Sequence, residues 1–194
     1  MAFSHDSDCQ KEKALGFWST VQGDICRLRE EDGSLWTLTR GLLSQGFIAL
    51  FGYRVFRWFF EQGIPTQPFR FVVERLIEIT TGISIPAQAC IGKGMRIHHF
   101  GGIMIHPDAV IGEDCTMYQG VTIGDRWGRG GVPSIGNRVY MGAGAKLIGP
   151  IEIGDDCQIG ANAVVLASVP PGCVAVGVPA VVKIRKTITQ LDAV

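Results

Sequence analysis

Two hydrophobic rhythms divide the chain near residue 82. Before that point the apolar residues recur three and four apart, as on one face of a helix. Trp18, Val21, Ile25 and Leu28 make a first stripe, and Phe47, Leu50, Phe51, Val55, Trp58 and Phe59 a stronger one. Gly63 and Pro65 end that helix, and a third stripe follows in Phe69, Val72, Val73, Leu76 and Ile77, closed by Gly82. From Ile85 the period becomes six: Ile85, Ile91, Ile97, then Ile105, Ile111, Met117, Ile123, then Ile135, Met141, Leu147, Ile153, Ile159 and Val165. Neither a helix nor a two-residue alternation produces a six-residue beat. A hexapeptide β-helix does, since each hexad supplies one short strand and one corner, with the aliphatic side chain pointing into the shaft. The pattern predicts a mainly β fold: an α-helical region over 1–82, a β-helix of hexapeptide repeats over 83–178, and a tail over 179–194.

The beat breaks in two places. Ile97 and Ile105 are eight residues apart, enclosing "HHFGG", and "GDRWGRGGVPS" has no aliphatic at 129 and predicts a loop extruded over 125–134. Insertions at the corners of a solenoid usually carry its binding work, so chemistry is expected at these two irregularities.

Composition narrows the function classes. With 46% hydrophobic and 19% charged residues the chain is of globular type, and 18 basic against 18 acidic side chains leave no net field for nucleic acid. The six cysteines show no metal-binding spacing, and the start "MAFSHDSDCQKEK" does not read as a secretory signal. Reduced thiols in a cytoplasmic protein are expected, with the cysteines as small core residues. The greasiest window, Gly41–Phe60, is interrupted by Arg54 and Arg57, too early for a membrane span. Packing on protein is one reading of it. A peripheral membrane contact through 42–60, at the inner face of the membrane with arginines at the rim, is the other.

Among the four histidines, His5 is in a tail and His106 precedes Pro107 at an expected turn. His98 and His99 stand beside Gly101 and Gly102 at the broken repeat; in strand geometry adjacent side chains point to opposite sides. An imidazole that titrates near neutrality suits a general base for a hydroxyl. The rival chemistry is zinc held by well-separated histidines. His98, His99 and His106 are crowded together instead, and no metal is expected.

The chain from Gly46 onward resembles the serine acetyltransferase family of left-handed β-helix acyltransferases. "GFIALFGYRVFRWFFEQG" is similar to the helix before the prism, "IGKGMRIHHFGGIMI" to the active-site coil, and "QGVTIG" to the next coil. "MGAGAKLIGPIEIG" and "VPPGCVAVGVPAVVKI" resemble the cofactor-binding end. The resemblance implies a left-handed helix, a homotrimer with sites between subunits, and acetyl-CoA as donor with no metal. It aligns His99 with the general base. The pantetheine chain of coenzyme A suits backbone edges flanked by small residues, which Gly124, Gly142, Ala143, Gly144, Gly160 and Ala161 supply; Lys183 and Arg185 suit its phosphates.

The departures from the family fall on the acceptor side. The family's Asp before the catalytic histidine is His98 here, and its Arg-His pair in the extruded loop falls near Gly131 and Val132. Arg126 or Arg129 are the substitutes to test, with His98, as acceptor-binding groups; the Asp that orients the base falls on Ser84. These losses favour an acceptor without a carboxylate. The leading expectation is therefore O-acetylation of a small-molecule or lipid-linked saccharide for an exopolysaccharide or capsule. A serine O-acetyltransferase is the alternative, and a non-catalytic trimeric scaffold the third reading.

Overall fold

A computed structural model describes residues 16–29, 35–127 and 130–185. Helices α1 (Phe17–Arg29), α2 (Leu35–Leu42), α3 (Gln45–Glu61) and α4 (Phe69–Thr81) precede a parallel β-helix. Face A stacks β1 (Ile83–Ser84), β4 (Ile103–Ile105), β7 (Thr122–Gly124), β10 (Lys146–Ile148) and β13 (Val164–Val165). Face B stacks β2 (Cys90–Ile91), β5 (Val110–Ile111), β8 (Ser134–Ile135) and β11 (Glu152–Ile153). Face C stacks β3 (Arg96–Ile97), β6 (Thr116–Met117), β9 (Tyr140–Met141), β12 (Gln158–Ile159), β14 (Cys173–Val176) and β15 (Val181–Ile184). Register is set by the period of six: Ile97, Met117 and Met141 are direct partners on face C, and Ile111 and Ile135 on face B. The aliphatics at the hexad positions fill the shaft, Ile91, Met117, Ile123, Met141, Leu147 and Ile159 being almost wholly buried. Only β15 runs antiparallel, pairing with β14, so part of the segment expected as a tail forms a strand.

The first coil has an open edge, because β2 ends its sheet. Unpaired strand-edge carbonyls and amides need partners, and α3 provides them. The Tyr53 hydroxyl donates to the Ala89 carbonyl (2.8 Å) and accepts from the Ile91 N–H (3.2 Å). Arg54 donates to the Ile91 and Gly92 carbonyls and to the Asp24 carboxylate on α1 (2.9 Å). Arg57 donates to the Gln88 carbonyl (3.1 Å) and to Glu61 (2.8 Å). Close approach also depends on Gly46, where an added Cβ would stand 2.4 Å from the Ile97 carbonyl oxygen.

This corrects two expectations. Arg54 and Arg57 do not rim an apolar face; they are 3% and 5% exposed and point into the prism. The expected outward arginines of a membrane-facing helix are therefore absent from α3, although Ile48, Phe51, Trp58 and Phe60 remain exposed. Among the described residues no helix is long and apolar enough to cross a membrane. The α4 stripe is also rotated from its expected orientation: Ile77 packs on the core, while Phe69, Val72 and Leu76 are exposed.

Cys115, Cys157 and Cys173 are buried inside the shaft, Cys90 is buried on β2, and Cys26 is exposed; none of these five forms a disulfide. Burial pushes the Cys115 thiol up to about 12, which removes the reactive thiolate. A maleimide applied to the native protein is expected to label Cys26 quickly and the four buried cysteines, Cys90, Cys115, Cys157 and Cys173, only after unfolding, as mapped by mass spectrometry. Rapid native labelling of Cys115 would contradict this packing.

Candidate active site

The corner between faces C and A is the place to build from. In the coil of β6 and β7 it is crossed with a spacing of six, Met117 to Ile123, but from Ile97 to Ile105 the spacing is eight. The surplus bulges outward. The His98 N–H donates to the Met117 carbonyl (2.9 Å) and the Gly120 N–H to the Gly101 carbonyl (3.0 Å), so the bulge is anchored at both ends. Its turn is made by left-handed residues: His99 at φ 63°, Gly101 at 84° and Gly102 at 72°. Glycine adopts this region freely; a histidine does so at a cost of about 1–2 kcal/mol and is held there by its surroundings. The two histidines thus do not alternate as on a strand. Both lie on the outside, their ring centroids 6.1 Å apart.

His99 is exposed and opens on a cavity of about 560 Å³. The opposite wall comes from α2 and the start of α3, with Trp36, Arg40, Leu43 and Gln45. The His98 ring lies parallel to the Tyr118 ring (4.6 Å between centroids, 12° between planes), and Tyr118 leans on Tyr140 at 5.3 Å. Burial, with the hydrogen bond to Tyr118, pushes the Tyr140 phenol above its ordinary value. Rings therefore line face C beside His99.

The same corner continues along the prism. Below the bulge come Gly142, Ala143 and Gly144, tied by the Gly144 N–H to the Gln119 carbonyl (2.8 Å), and then Gly160 and Ala161, tied by the Asn162 N–H to the Ala143 carbonyl (2.8 Å). The glycines are required by stacking itself, since a Cβ on Gly142 would stand 2.7 Å from the Ala161 nitrogen. The small residues expected for the cofactor thus share one edge with His99. Lys183 and Arg185 are exposed at the far end of face C, by β15.

Other expected residues do not join this group. Gly124 ends β7, and Arg126 follows it at the corner between faces A and B, a different edge of the prism from His99. Arg129 lies outside the described residues. Ser84 was expected to orient the base. Instead it is on β1, lines a separate cavity with Tyr53, Glu74 and Glu78, and makes no hydrogen bond to His99. On β1 it shares that cavity with residues of α3 and α4, Tyr53, Phe56, Glu74 and Glu78 among them. His106 is a turn former, its Nδ1 accepting from the Asp108 N–H (3.1 Å). Among the described residues no three His, Cys, Asp or Glu side chains are grouped to hold a metal.

Sequence reasoning missed the α2 wall and the two tyrosines. The tyrosines carried a signal: Tyr118 follows the aliphatic of its hexad as His98 does, and such outward positions in neighbouring coils stack. Gln119, in the same corner, keeps a buried side-chain oxygen without a protein partner.

A parallel β-helix of hexad coils, with an exposed histidine at a bulged corner above a column of small residues, defines an acyltransferase of the hexapeptide type. The bacterial transferase hexapeptide (six repeats) family matches residues 133–167. The serine acetyltransferase of Mycobacterium tuberculosis is 40% identical over 167 residues, covering 83% of this chain and 71% of that protein. Soybean serine acetyltransferase complexed with serine superposes with a TM-score of 0.78 at 32% identity, over 88% of this chain and 72% of that one. A serine acetyltransferase in complex with CoA gives 0.75 at 31% identity, over 92% and 73%. The chain belongs to the serine acetyltransferase family, and it is an acetyl-CoA-dependent O-acetyltransferase.

Proposed function

We propose that the acceptor is L-serine and that His99 is the general base. The carrying observation is His99 itself, exposed on a cavity at the corner from which the small-residue column descends. The thioester of a pantetheine chain laid along that column would arrive at the bulge. There the imidazole takes the proton of the serine hydroxyl as its oxygen attacks the thioester carbonyl carbon. The tetrahedral oxyanion collapses, the C–S bond breaks, and the imidazolium returns the proton to the coenzyme A sulfur. The products are O-acetylserine and CoA. Serine is favoured over the saccharide expectation by the comparisons, in which similar proteins bear the serine acetyltransferase name and one was solved with serine bound.

A trimer belongs to this reading. Within one chain Arg126 lies at the A–B corner and His99 at the C–A corner, so Arg126 would serve a His99 on a neighbouring copy.

A second reading has its own observation. The His98, Tyr118 and Tyr140 rings beside the base suit the apolar face of a sugar ring, with the phenols as hydrogen-bond partners. Steady-state release of CoA from acetyl-CoA, measured with L-serine and with a panel of mono- and oligosaccharides, separates the two. Serine is expected to give the highest kcat/KM. Turnover of a saccharide with none of serine would overturn the serine assignment, and failure to bind acetyl-CoA at all would return the scaffold reading.

A further inference from the structure

The family resemblance places a carboxylate-gripping Arg-His pair in the extruded loop, where this chain has Gly131 and Val132. Yet the cavity that His99 opens on has a guanidinium in its opposite wall. We infer that Arg40, on helix α2, is the group that anchors the carboxylate of a 2-amino-3-hydroxy acid acceptor. This rests on the serine reading above and assigns the acceptor-binding wall to a different element of the fold.

Three observations carry it. First, Arg40 and His99 line one cavity, so a molecule with its hydroxyl at the imidazole has its other end directed at α2. In serine the hydroxyl and the carboxylate stand on neighbouring carbons, so one small cavity must contain both partners. Second, Arg40 is exposed and makes no ion pair or hydrogen bond among the described residues, whereas Arg96, Lys146 and Arg138 on the prism are engaged. Arg96 donates to the Arg27 carbonyl, Lys146 to the Gly120 carbonyl and Thr122, and Arg138 forks onto Asp156. Third, the remaining wall offers no rival charge. Trp36 and Leu43 are apolar, and the Ser44 hydroxyl accepts the Phe47 N–H as the cap of α3. A guanidinium among such neighbours meets a carboxylate with its planar fork.

The test is a split between substrates and between kinetic constants. Arg40→Ala and Arg40→Lys are compared with the wild-type protein, first by thermal melting to confirm folding and then with L-serine and L-serinamide, whose amide carries no charge. Loss of a charge-assisted hydrogen bond is expected to raise the KM for serine roughly ten- to a hundredfold. The KM for acetyl-CoA and kcat/KM for serinamide should hold within about twofold, and Arg40→Lys should recover part of the loss. A serine KM unchanged in Arg40→Ala, while the wild type turns serine over, would overturn the assignment of Arg40 and leave the serine reading standing. A wild type inactive on serine would overturn both.

Discussion

Replacing His99 by alanine or asparagine is expected to lower kcat/KM for acetyl transfer by about 10²–10⁴-fold, the usual contribution of a positioned general base. The asparagine variant matters because asparagine tolerates the left-handed backbone better than most residues. His99 sits at φ 63°, so Asn keeps the corner while removing the proton acceptor. If the ring served only to shape the bulge, Asn would retain activity. If it takes the hydroxyl proton, Asn and Ala should fail alike. Equilibrium binding of CoA, followed by calorimetry, should stay within about twofold in both variants, because the small-residue column belongs to later coils at the same edge. A variant that loses CoA binding in proportion to its rate would mark His99 as a cofactor contact instead. Near-wild-type rates in His99→Asn would remove it from the chemistry.

How much of this could be read from the sequence depended on how local the physics was. A shaft needs an aliphatic residue at every turn of every coil, so the spacing of Ile91, Met117, Leu147 and Ile159 carried the fold by itself. The bulge was equally legible, because a spacing of eight from Ile97 to Ile105 cannot fit the space of six. The orientation of α3 was not. Helical periodicity assigns arginine to water, whereas Arg54 and Arg57 turn inward to the open edge of β2, a need that exists only once the prism is built. Ser84 failed for a related reason: alignment places it where a base-orienting group belongs, and its place on face A directs it into another cavity. Arg40 could not be found by pattern at all. It shares a cavity with His99 only because α2 lies across from the bulge, and a single arginine in "WTLTRGLL" has no signature.

The inward arginine also defines the largest stability effect. Arg54→Ala is expected to destabilise the protein by about 3–5 kcal/mol, the range for removing one partner of a buried ion pair. Asp24 and Arg54 are 2% and 3% exposed, and the pair joins α1 and α3 to the first coil. The variant strands the Asp24 carboxylate and leaves the Ile91 and Gly92 carbonyls without their guanidinium donor. Burial already pushes the Asp24 carboxyl above its ordinary 3.8 against the pull of Arg54. Without Arg54 it should rise further. A carboxyl raised on folding binds its proton more tightly in the native state, so its ionised form penalises the fold above the folded pKa and the penalty fades as pH falls toward the unfolded value. Urea midpoints for wild type and Arg54→Ala should therefore differ widely at about pH 7.5 and less at about pH 5. A gap that does not narrow toward acid would show that Asp24 stays charged without its partner. A gap of under about 1 kcal/mol at both pH values would mean that water replaces the guanidinium and that α3 does not depend on this pair to seal the edge of β2.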